Sequence, residues 1–169
     1  MLRAVRATAP AGLVPLAWGF ALAAHLGALS TRTVLIGHGV MTALLVAFAA
    51  LSWREMRGDP ALRPWLGVVV AGVPVTLAGA YGVATGAETM AVVAVAGWLL
   101  LPAVALVDTG RRVPDGDRPW SYTVGGALSA VAALGVVVGT AAGGTLTVGA
   151  LVLGGVGQTV GIVAAVVTY

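Results

Sequence analysis

The chain has 169 residues, 59% of them hydrophobic and 9% charged, with a mean hydropathy of +1.01, values that exclude an ordinary soluble domain and mark an integral membrane protein. The net charge of +3 comes with nine basic residues, all arginine; they lie before or between apolar runs, where they act as topology determinants rather than as a nucleic-acid surface, and no nucleic-acid partner is expected. Cysteine is absent, which excludes disulfides, thiol catalysis and cysteine-ligated zinc or iron–sulfur centres.

Six apolar runs of spanning length follow one another, at about 11–29, 33–53, 65–84, 89–107, 120–139 and 145–168. At 1.5 Å per residue each is long enough for a hydrocarbon core of about 30 Å, and backbone groups in lipid must bond within their own segment, so each is read as a helix. The expected fold is all-α, a single transmembrane domain over 1–169 with six transmembrane helices arranged as three hairpins. The first run follows Met1-Leu2-Arg3-Ala4-Val5-Arg6 and has no A-x-A site at its end, so it is read as an uncleaved helix.

The links are of two kinds. Ser30 to Thr33, Thr85 to Glu88 and Thr140 to Gly144 are short turns, whereas Arg54 to Arg63 and Asp108 to Arg118 are longer and charged. Arg3, Arg6, Arg54, Arg57, Arg63, Arg111, Arg112 and Arg118 fall on one side and Arg32 alone on the other, which predicts a cell-membrane protein with both termini cytoplasmic. Trp53, Trp65, Trp120 and Tyr169 then fall at the cytoplasmic interface, the layer such rings prefer.

The second hairpin carries Pro74 and Pro102 within its helices, where the missing N–H and the ring favour kinks that open a cavity or merely disturb packing. The third carries Gly135/Gly139 and Gly157/Gly161 as two GxxxG pairs, expected to serve internal packing first and a homodimer or other membrane subunits second.

Polar residues at membrane depth are His25, His38, Thr42, Thr76, Tyr81, Gln158 and Thr159. The threonines are expected to bond carbonyls one turn back, and Gln158 to bond another helix. No carboxylate pair lies within the runs, and no G-x-S-x-G, H-E-x-x-H or phosphate-binding loop is present, so independent catalytic activity is not expected. His25 and His38, either side of the first turn, are the candidate site. Counted from that turn they lie at similar depth, roughly 6–9 Å below the helix ends. Each is read either as a ligand of a metal, with Gly37 and Gly39 leaving room beside His38 for the flat face of a heme, or as a histidine satisfied by a neighbouring helix or interfacial water.

The segment Gly37-His38-Gly39-Val40-Met41-Thr42-Ala43-Leu44-Leu45-Val46-Ala47-Phe48 resembles the second helix of the catalytic subunit of heme–copper oxidases, in which a histidine followed by small and apolar residues ligates the low-spin heme, and it is similar to related NnrS-type membrane proteins. The resemblance implies that His38 is an axial ligand of a b-type heme, used in electron transfer or gas binding. No histidine follows His38, so the family's binuclear centre has no counterpart; either His25, from this chain or from a second copy of it, is the second axial ligand, or the iron is five-coordinate. The alternatives are a small permease using the proline-kinked helices and Gln158, or a noncatalytic accessory subunit of a membrane complex.

Overall fold

A computed structural model describes residues 2–113, 119–142 and 144–168. It contains α1 (Leu2–His25), α2 (Thr31–Gly58), α3 (Arg63–Thr85), α4 (Glu88–Arg112), α5 (Pro119–Ala142) and α6 (Gly144–Thr168). Helices α2 to α6 are each long and apolar enough to cross a membrane, and α1 contributes a shorter apolar stretch over Ala11–His25. The chain is therefore an all-α integral membrane protein. The charged link expected from Asp108 to Arg118 falls partly outside the described residues, as does Tyr169.

The helices are laid side by side in the order α2, α3, α4, α5, α6, α1, so that α1 closes against α6 rather than against its neighbour in sequence. This corrects the first of the three expected hairpins. The cause lies at residues 26–30, where Gly27 takes φ +72°, its N–H donates to the Ala24 carbonyl and the Ala28 N–H donates to the Ala23 carbonyl. That left-handed stop ends α1 at His25, four residues before the end of the apolar run. Ser30 then caps α2 by accepting from the Thr33 N–H at 3.2 Å. Phe20 of α1 presses on α2, its ring lying over the bare backbone of Gly37.

Contact between helices depends on small residues, because lipid supplies no hydrophobic drive for one apolar helix to prefer another. On α5 and α6, Gly125 and Gly157 lie backbone to backbone: a methyl group on either would sit 2.5 or 2.8 Å from the other's carbonyl oxygen. Gly135 faces Ala150, Gly139 faces Thr147 and Gly161 faces Leu106. Both GxxxG pairs are thus spent inside the chain. The core formed there comprises Leu99, Ala132, Ala133, Val136, Ala150 and Leu151, with Trp18 and Leu22 of α1 packed on it.

Candidate functional site

Two polar arrangements among the described residues include the candidate side chains Gln158 and His38. The larger is organised by Pro102, which stands inside α4. A proline has no N–H, so the carbonyl four residues earlier, that of Trp98, loses its helical donor. Gln158 of α6 supplies one: its Nε2 donates to the Trp98 carbonyl at 2.8 Å and to Ser129 Oγ at 2.9 Å, and its Oε1 accepts from Trp18 Nε1 at 3.0 Å. Ser129 Oγ in turn donates to the Leu99 carbonyl at 2.7 Å. Trp98 extends the chain to α3, its indole donating to Thr76 Oγ1 at 3.1 Å, while Thr76 donates to the Gly72 carbonyl at 2.8 Å. Five helices are joined through one glutamine and one tryptophan. Gln158, Ser129 and Thr76 are all buried, where an unpaired amide or hydroxyl would be costly.

The interhelical bond expected of Gln158 is present, and Thr42 and Thr159 bond the His38 and Gly155 carbonyls one turn back, at 2.8 and 2.7 Å. Sequence reading missed Trp18, Trp98 and Ser129. The signal was available in principle, since Pro102 fixes which carbonyl is orphaned and any buried donor opposite residue 98 becomes its candidate partner. Tyr81, by contrast, is exposed.

The second arrangement surrounds His38. The strip Val34, His38, Met41, Leu45, Ser52 and Met56 recurs at helical spacing, and it is the face of α2 turned inward, with Val34, Ser52 and Met56 buried. His38 Nδ1 lies 2.8 Å from the Val34 carbonyl; a carbonyl only accepts, so Nδ1 carries the proton and Nε2 the lone pair. That nitrogen rests on α3: a methyl group at Gly79 would lie 2.7 Å from it and 3.0 Å from the Cβ of Ala94.

His25 is not beside it. It is exposed in the last turn of α1, with Nε2 directed towards the start of α6, 4.0 Å from where a methyl group on Gly144 would be. His38 stands seven residues into α2, roughly 10 Å from its start at 1.5 Å per residue. The equal depth expected for the two imidazoles is therefore replaced by one terminal and one embedded histidine, facing different helices. Among the described residues no group of three or more His, Cys, Asp or Glu is placed to share a metal ion.

Among the described residues, clefts open on the surface between helices. One of about 700 Å³ lies between α2 and α3 and is lined by residues including Pro74, Trp53 and Arg54. A second of about 350 Å³ lies between α1 and α6 beside Trp18 and Gly155. Neither includes a histidine. Comparison with protein-family models, with characterised proteins and with solved structures finds no match to this chain.

Proposed function

We propose that this integral membrane protein is a noncatalytic subunit of a membrane assembly, and that α2 is the helix it offers to its partner. The observation that carries the reading is the exposure of α2. Only 6% of its most apolar stretch is buried, against 33% to 44% for α3 to α6. It is also the longest helix among the described residues, at 28 residues, and its outward ridge of Ile36, Val40, Leu44, Ala47 and Leu51 is apolar and continuous.

The polar interior supports the same reading over a permease. Both ends of the Gln158 amide, both tryptophan indoles and the Ser129 and Thr76 hydroxyls are engaged in holding helices together, leaving them committed to architecture rather than to a solute. By the distribution of arginines, the ends of the chain and the loop between α2 and α3 face the cytoplasm of a cell membrane. Extraction of native membranes in a mild detergent tests the proposal. The chain should migrate in a complex larger than itself that survives dilution and contains a second membrane protein in fixed ratio; a lone chain, or solute flux through the purified protein in vesicles, would contradict it.

A second reading has one observation in its favour, the 2.8 Å contact of His38 Nδ1 with the Val34 carbonyl, which makes Nδ1 the donor and, in a neutral ring, leaves Nε2 as an electron-pair donor within the membrane. On this reading His38 is an axial ligand of a b-type heme, as the resemblance to oxidase helices implies. Because Nε2 rests on Gly79, α3 would have to withdraw to admit a porphyrin. A second ligand such as His25 would come from another copy. Reduced-minus-oxidised spectra of membranes with and without His38→Ala separate the two readings, and a folded, heme-free protein from heme-replete cells would eliminate this one.

A further inference from the structure

We propose that the groove between α2 and α3 is a binding site for an anionic phospholipid, with an acyl chain lying against Val46, Ala49, Ala50, Val70 and Val73 and the phosphate held at Arg54. The groove measures about 700 Å³ and is apolar along most of its length, reaching Trp53 and Arg54 at the end nearest the α2–α3 loop. From Val46 to Arg54 it follows α2 for eight residues, roughly 12 Å at 1.5 Å per residue. Along that line it presents hydrocarbon, then an indole, then a guanidinium. This is the order in which a phospholipid presents its chain, its interfacial region and its phosphate.

The groove has a cause in the sequence. Pro74 lies inside α3, where its ring displaces the Val70 carbonyl and disturbs the face turned to α2. Opposite it stand Ala49 and Ala50, too small to fill the space. The charge at its mouth favours an anion. Arg54 lines it, Arg57 and Arg63 are exposed nearby in sequence, as are the carboxylates of Glu55 and Asp59, and Asp59 already accepts from the Ala61 N–H at 2.8 Å. An arginine at the membrane surface favours an anionic over a neutral lipid by about fivefold. The groove shares Leu51 with the outward ridge assigned to a protein partner, but the lipid is tested at Arg54 and Ala50, which that ridge does not include, so failure of one proposal is distinguishable from failure of the other.

Native mass spectrometry of the full chain in detergent, titrated with phosphatidylglycerol or phosphatidylcholine of identical acyl chains, tests it. The unaltered protein should retain phosphatidylglycerol about fivefold more strongly. Arg54→Gln should remove that preference without lowering phosphatidylcholine binding, and Ala50→Phe, which fills the groove, should lower the binding of both. Circular dichroism of each variant establishes that the helices are intact, and Arg32→Gln, at the other end of α2, should behave as the unaltered protein does. Equal retention of the two lipids, a preference that survives Arg54→Gln, or undiminished binding by folded Ala50→Phe would overturn the proposal. So would a protein dimer that Ala50→Phe dissociates, because the groove would then be an interface between copies.

Discussion

Replacing Gln158 with leucine should cost stability in a way that depends on Pro102. Three hydrogen bonds end on the Gln158 amide, from Trp18 Nε1 and to the Trp98 carbonyl and Ser129 Oγ. Interhelical bonds within a membrane average roughly 0.6 kcal/mol, and a buried carbonyl left without any donor adds about 1–3 kcal/mol. Gln158→Leu should therefore destabilise the bundle by roughly 2–4 kcal/mol. Pro102→Ala restores a backbone N–H to the Trp98 carbonyl, so in that background the orphan disappears and the same substitution should cost only about 1 kcal/mol. The assay is reversible unfolding in mixed micelles of increasing denaturing-detergent fraction, followed by helical circular dichroism, for the four members of the double-mutant cycle. A cost for Gln158→Leu equal in the two backgrounds, to within about 0.5 kcal/mol, would refute the idea that the glutamine answers the proline.

Other consequences are as direct. Gly79→Ala should drive the His38 ring off α3 and destabilise by about 1–3 kcal/mol, and His38→Ala in the same chain should recover part of that loss in the same unfolding assay, since the added methyl meets the imidazole. Gly125→Ala and Gly157→Ala, whose methyl groups would strike backbone oxygens, should each be more disruptive than Gly67→Ala, which meets nothing within 4 Å; thermal denaturation in micelles ranks them. Because the chain has no cysteine, single substitutions Ala87→Cys and Ala61→Cys can be labelled without background. The arginine distribution predicts reaction from opposite faces of the membrane, and labelling of both by the same impermeant reagent added outside cells would overturn the assigned topology.

Much of the helical architecture was legible in the sequence, because runs of about twenty apolar residues have few options in lipid. The boundaries were less so. Leu26 to Leu29 reads as continuing apolar helix, yet Gly27 with φ +72° ends α1 before it, a matter of backbone geometry that hydropathy does not sense. The same local turn separates α1 from α2, so adjacency in sequence misled about adjacency in space. The site was legible in part. Gln158 stands out as a costly residue that must find partners, but Trp18, Trp98 and Ser129 resemble ordinary apolar or small residues until the fold brings them to it. His38 stands out equally, and what the sequence cannot supply is that Gly79, more than forty positions later, is the surface its Nε2 meets. Glycine pairs were visible as close-approach signals, although only the structure assigns Gly125, outside both GxxxG pairs, to a backbone-to-backbone contact with Gly157 of α6.

The assembly role of α2 is tested most directly by a photoreactive amino acid placed at Leu44, on its outward ridge, in cells that make the protein naturally. Leu134, equally outward on α5, serves as the comparison. The account predicts one protein adduct of defined mass from position 44, identical in composition to the second component of the native complex, and only lipid adducts from position 134. Lipid adducts alone from both positions would contradict it.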